Sequence, residues 1–261
     1  MPSSIKKVFL ILSLALLSAC ASVPGGPAEG DPFESYNRAM FNFNEGLDQY
    51  LLKPVAEGYD AILPSPIKTG VSNFFSNIGD VFVILNDILQ FKFVQAIEDT
   101  SRLFVNSTFG LFGLFDVATP LGLEKHNEDF GQTLASWGVG SGPYVVLPVF
   151  GPRTLRGTAG LVVESAYDPV YQIKADDSRY GTIALRAVDT RYNLLKAGRI
   201  ADQAALDKYS FVRDAYLQHR KNLVYDGKPP IDKLTPLPQS TPEELELENE
   251  LELDLENSLK P

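Results

Sequence analysis

Between Asp31 and Pro54, apolar residues recur at Tyr36, Met40, Phe43, Leu47, Tyr50 and Leu51, the spacing of one helical face. Asp31 offers an N-cap, Pro32 a first helical position and Glu34 the second half of a capping box. Pro54 is placed to end this helix. A second face, Ile67, Val71, Phe74, Phe75 and Ile78, follows the prolines at 64 and 66. The stretch from Asp80 to Phe109 is broadly apolar, interrupted by Asn86, Asp87 and Gln90. Its length favours helix, while its β-branched and aromatic content leaves a strand open. Later, Leu185, Val188, Tyr192 and Leu195 recur at helical spacing, as do Leu206, Tyr209, Val212, Tyr216 and Leu223. Only "YVVLPV" carries a period-two hint. The pattern predicts an all-α chain with one helical domain over residues 31–227.

Two stretches depart from this pattern. Phe104–Leu123 holds one charge, Asp116, among phenylalanines and leucines clustered around Gly110 and Gly113. It reads equally as buried core or as a segment lying in a membrane interface. Phe130–Pro152 is 23 residues without a charge, with five glycines, three prolines and the only tryptophan, Trp137. It is long enough to span a bilayer, but backbone groups freed at so many breaks would go unsatisfied in lipid. An irregular hairpin is the better reading.

The ends place the chain in a compartment. Lys6 and Lys7 precede an apolar run, Val8–Leu17, and "LSAC" closes it at Cys20. This is the layout of a signal peptide over 1–19, and its end resembles a lipobox, which makes Cys20 the acylated first residue of the mature chain. Cys20 is the only cysteine, so no disulfide competes for it. Ala21, in place of an aspartate, favours sorting to the outer membrane. Residues 20–30 then form an acylated linker. Residues 228–261, rich in proline and then in alternating glutamate and leucine, read as a disordered acidic tail, with a partner-induced helix as the alternative.

Charge narrows the partners. The chain carries 23 Lys+Arg against 33 Asp+Glu, and loss of Lys6 and Lys7 takes the formal net charge from −10 to −12. Nucleic acid is thereby disfavoured, and there is no polybasic patch for anionic headgroups. Contact with lipid has to run through apolar surface.

Candidate chemistry is thin. His219 sits near the end of a predicted helix. His126 lies among Glu124, Glu128 and Asp129 with no second histidine at metal-site spacing, and reads as part of a solvated loop. No G-x-S-x-G elbow or phosphate-binding loop is present, and Ser141 in "GVGSGP" has the wrong spacing for a nucleophile. Neither an enzyme, a cofactor nor a metal is expected.

"DPFESYNRAMFNFNEGLDQYLLKPVAEGY" (31–59) and "EDFGQTLASWGVGSGPYVVLPVFGPRTLR" (128–156) resemble the two signature segments of the MlaA/VacJ outer-membrane lipoproteins. "LFGLFDVAT" and "YSFVRDAYLQHR" are similar to the same family. Ala135, Arg153 and Gly157 depart from its usual residues. The resemblance implies a ring-like helical protein seated in the inner leaflet of the outer membrane, lipid-anchored on the periplasmic side. It implies an amphipathic channel, association with a trimeric porin, and removal of mislocalised phospholipid from the outer leaflet. A periplasmic carrier feeding an inner-membrane ABC transporter would take the lipid onward. Within that frame, Phe41, Asn42, Phe43 and Asn44 are expected to set the ring's position or opening. Gly138, Gly140 and Gly142 are expected to form a hairpin beside the channel, anchored at the interface by Trp137 and Tyr144, which either gates or braces it. A structural tether and a lipid hydrolase are the competing readings.

Overall fold

Pro54 does not end the first helix. In the computed structural model, which describes residues 31–230, α1 (Glu34–Leu47) runs through a π-helical turn at Asp48–Leu52 into α2 (Lys53–Ile62). Pro54 sits in the first turn of α2, where a missing N–H does least harm. The wide turn lets the Lys53 N–H reach the Asp48 carbonyl, so the chain passes the proline without a break. The signal peptide, Cys20, the linker and the tail beyond Pro230 lie outside the described residues.

The remaining helices are α3 (Ser65–Leu89), α4 (Phe93–Thr108), α5 (Phe130–Ser136), α6 (Leu155–Tyr167), α7 (Asp176–Asn193), α8 (Leu195–Ala204) and α9 (Lys208–Val224). Strands β1 (Tyr144–Leu147) and β2 (Gly151–Thr154) pair antiparallel, Tyr144 opposite Thr154 and Leu147 opposite Gly151. Length thus decided for helix over residues 80–109, and the hint in "YVVLPV" became β1. The compact unit runs to Val224. Beyond it, Tyr225 accepts from the Lys228 N–H in a turn whose Asp226 and Gly227 both have positive φ. None of the helices among the described residues is long and apolar enough to cross a membrane.

The apolar core is small. Tyr144, Val146 and Tyr209 form it, with Met40, Phe41, Tyr216 and Leu217 packed around them. Asp31 does not cap α1. Its buried side chain accepts from Asn37 Nδ2 at 2.8 Å and from the Tyr209 hydroxyl, tying the start of α1 to α9. Farther along, Arg191 holds Asp48 through two bonds of 2.5 and 2.7 Å, which fastens the π turn to α7.

The helical faces are inverted in part relative to the sequence reading. On α1 the buried positions are Glu34 and Asn37, while Phe43, Tyr50 and Leu51 are exposed. On α3, Ile67 faces outward, and Lys68, Asn77, Asp80, Asn86 and Asp87 face inward together with Phe75 and Val83. Periodicity finds the face correctly, but it cannot say whether water or lipid lies on the other side.

Candidate functional site

Helices α3 and α4 are joined by Gln90–Lys92 into a helical hairpin, with Phe91 in the left-handed region at φ 63°. Apart from Ala96, the residues that α4 buries are polar: Asp99, Arg102 and Asn106. Their spacing of three and four residues makes one continuous stripe. The opposite surface of the hairpin exposes Val81, Leu85, Ile88, Phe93, Ile97 and Phe104.

A buried polar stripe is tolerable only where each group finds a partner. The segment 116–130 supplies most of them. Asn106 Oδ1 accepts from the amides of Val117 and Ala118 at 2.8 and 2.9 Å, and its Nδ2 donates to Asp116 at 3.2 Å. Arg102, 3 % exposed, reaches Asp116 at 3.3 Å, Thr119 Oγ1 at 3.1 Å and the Leu123 carbonyl. Farther along, Lys125 pairs with Asp80, and His126 Nδ1 lies 2.9 Å from Asp99. Glu128 takes bonds from Gln90 at 2.7 Å and Lys92 at 2.8 Å, and Thr133 donates to Asn86 at 2.7 Å. Burial works to raise Asp116, but hydrogen bonds from Thr119 and Asn106 and the Arg102 charge outweigh it and hold the carboxyl at about 2. Burial raises Asp80 against the pull of Lys125.

His126 is therefore no part of a solvated loop. Its side chain is largely covered, and its two ring nitrogens face Asp99 and Glu98 (Nε2 at 3.9 Å), not a hydroxyl nucleophile. Asn86, Asp87, Gln90 and Asp116 all enter this seam. Sequence reasoning missed Asp99, Arg102, Asn106 and Lys125, and named Glu128 only as a neighbour of His126 in a solvated loop. Their signal was the stripe at 99, 102 and 106, which reads as a solvent face unless the apolar side is assigned outward.

Between α4 and this segment the chain forms a knob. Phe109, Leu111, Phe112, Leu114 and Phe115 are all exposed, and Leu111, Phe112 and Gly113 follow one another at φ 51°, 59° and 87°. Left-handed Leu and Phe cost about 1–3 kcal/mol each, yet the turn closes through the Phe112 and Gly113 amides to Ser107 and Asn106. Gly113 is required twice over, by its φ and because a Cβ there would sit 2.5 Å from Asn77 Cβ.

The second predicted region divides. Gly138, Gly140 and Gly142 are exposed, but they precede β1 and do not form the hairpin turn. That turn is Pro148–Phe150, with Val149 at φ 68°. Trp137 is half exposed and caps α3 by donating Nε1–H to the Leu89 carbonyl at 3.0 Å. Tyr144 is not an interfacial anchor. It is 2 % exposed and packs on the rings of Tyr209 and Tyr216, because the alternation of β1 turns it into the core. In the FNFN run, Phe41 packs edge-on against Tyr209 at 5.6 Å, Asn42 and Phe43 are exposed, and Asn44 bonds the hairpin turn. A small polar cavity is lined by Asp129, Arg153, Gly157, Leu161, Glu164 and Arg220. Among the described residues no group of three or more His, Cys, Asp or Glu is arranged to hold a metal ion.

Fold and site define a class: a helical protein that buries a stripe of paired polar groups in its α3–α4 seam and turns large apolar side chains outward. Surfaces of that kind mark contact with a membrane or another protein. The chain belongs to the MlaA lipoprotein family, whose model matches residues 29–223. It is 36% identical over 225 residues to the "Intermembrane phospholipid transport system lipoprotein MlaA" of Escherichia coli (strain K12), covering 84% of this chain and 88% of that one. The protein of that name from Haemophilus influenzae is 32% identical over 226 residues, covering 84% and 90%. An uncharacterized protein of Rickettsia typhi is 35% identical over 192 residues, covering 73% and 76%. A solved structure described as "Structural basis for maintenance of bacterial outer membrane lipid asymmetry" matches with a TM-score of 0.65 and 33% identity, over 74% of this chain and 98% of that one.

Proposed function

We propose that this chain is an outer-membrane lipoprotein that moves phospholipid between membranes and so maintains lipid asymmetry. The carrying observation is the inversion at the α3–α4 hairpin, where Asp99, Arg102 and Asn106 are buried while Phe93, Ile97 and Phe104 are exposed. In water that arrangement wastes the hydrophobic effect, whereas against acyl chains the exposed face is solvated and the paired polar groups stay shielded. The relatives named for intermembrane phospholipid transport support the same reading.

The finer parts of the proposal follow the family. Cys20 is acylated after removal of 1–19 and holds the protein on the periplasmic side of the outer membrane. The helices sit ring-like in its inner leaflet beside a trimeric porin. Phospholipid mislocalised in the outer leaflet passes through an amphipathic channel to a periplasmic carrier that feeds an inner-membrane ABC transporter. Phe41–Asn44 set the position of the β1–β2 hairpin, since Asn44 bonds its turn. The glycine segment 138–142 braces the wall, since Trp137 and Tyr144 on its two sides are fixed to Leu89 and the core.

The test is a deletion strain complemented with wild type or Cys20→Ala and assayed for outer-leaflet phospholipid and for sensitivity to detergent with chelator. Restoration by wild type alone is expected. A deletion that leaves outer-leaflet phospholipid unchanged removes the transport reading and leaves a structural tether.

A further inference from the structure

One pair of groups in the α3–α4 seam is not accounted for by its ion pairs. Asp87 on α3 is fully buried, and neither of its carboxylate oxygens receives a hydrogen bond. Its backbone is fully engaged, with the carbonyl accepting from the Lys92 and Gln90 amides. A hydrogen-bonding neighbour of Asp87 is another carboxyl, Asp99 on the facing helix α4. Asp99 is also fully buried, and although Oδ2 meets His126, its Oδ1 has no donor either.

The surrounding charged groups have partners of their own. Asp80, two turns before Asp87 on α3, is taken by Lys125. Glu128 is held by Lys92 and Gln90, and Arg102 on α4 by Asp116, Thr119 and the Leu123 carbonyl. His126 Nε2 lies toward Glu98. Two ionised carboxylates placed face to face here would repel one another out of reach of water, with three oxygens lacking a donor. One proton between them turns that repulsion into a short, strong hydrogen bond.

We propose that Asp87 and Asp99 share a single proton, as a carboxylic acid bonded to a carboxylate, and that this proton is the catch closing α3 on α4 beneath the 116–130 segment. Burial, with Asp99 and Glu128 adding to it, pushes the Asp87 carboxyl up to about 7, against a smaller opposing pull from His126. An acid whose folded pKa lies above its ordinary value of 3.8 keeps a proton that the unfolded chain has lost. Its contribution to stability therefore falls as pH rises from about 4 to about 7, by up to tenfold in the folding constant per pH unit, and is level above that. Above neutral pH the catch is open, and the end of the hairpin that carries Phe91, Phe93 and Val94 is loosened. This device does not depend on what the protein transports.

The test uses the full-length acylated protein in detergent. Infrared difference spectra between about pH 5.5 and about pH 9 are recorded in the carboxylic-acid C=O region, alongside chemical denaturation over the same range. A protonated-acid band titrating near 7 is expected, lost in Asp87→Asn, whose side-chain N–H donates to Asp99 without a proton from solvent. That variant is also expected to lose the fall in stability between about pH 4 and 7. Asp99→Asn supplies the same donor from the other helix and serves if Asp87→Asn does not fold. The absence of an acid band in wild type, or its persistence in the variant that folds, overturns the proposal.

Discussion

Asn37 and Asn44 stand seven residues apart on one face of α1, and each holds the β-hairpin with both ends of its amide. Asn37 accepts from the Val146 N–H at 2.8 Å and donates to the Tyr144 carbonyl at 3.1 Å, in place of a neighbouring strand along β1. Asn44, two turns on, donates to the Leu147 carbonyl at 2.9 Å and accepts from the Val149 N–H at 2.8 Å. A two-stranded hairpin is marginal alone. Here a helix covers its open edge with side chains.

Asn37→Leu leaves the buried Val146 amide and Tyr144 carbonyl without partners and is expected to cost about 3 kcal/mol. Asn44→Ala, at a turn that water reaches, is expected to cost about 1 kcal/mol. Chemical denaturation of the two variants in detergent checks the order, and equal losses would contradict it.

Arg102→Ala removes one of the partners of Asp116 and the side-chain donor to the Leu123 carbonyl, and is expected to cost about 1–3 kcal/mol. Arg102→Lys should recover little of it, because one ammonium cannot reproduce the forked set of bonds to Asp116, Thr119 and Leu123. Melting temperatures of the pair provide the comparison.

Gly113→Ala meets both its φ of 87° and the Asn77 side chain, and should destabilise by about 1–3 kcal/mol. The exposed side chains beside it have a different role. Replacing Phe109, Phe112 and Phe115 together by serine should leave helical content unchanged by circular dichroism. The same change, in a Cys20→Ala background, should lower partition into vesicles by roughly 1–2 kcal/mol per ring. Unaltered vesicle binding would exclude this knob from lipid contact.

The Asp116 carboxyl, held at about 2 in the folded protein against an ordinary value of 3.8, supplies stability that is full above about pH 4 and is lost as pH falls toward 2. Asp116→Asn should therefore flatten the acid side of the stability curve in that window. An unchanged acid limb in the variant would assign the loss to other carboxylates.

Helix positions were legible in the chain because spacing, length and caps act locally. The repeats at 185–192 and 209–223 fell where helices formed, although Leu195 opens α8 and Leu206 precedes α9, and the two family segments stood out as continuous strings. Pro54 misled because a proline tells of its missing N–H but not of a π turn that carries the helix past it. Tyr144 misled because an aromatic beside glycines is the same residue at an interface and in a core.

The amino-acid order by itself determined which residues share a face, how charge and apolar runs alternate, and which family the chain resembles. Only the tertiary structure decided which face turns inward. A helix pattern is symmetric between an apolar side buried in protein and an apolar side turned out toward lipid. What breaks the symmetry is whether the polar stripe finds partners, and those come from residues distant in the chain. Asp99 finds His126, Arg102 and Asn106 find Asp116, and Asn86 finds Thr133 only once the 116–133 segment has folded across them.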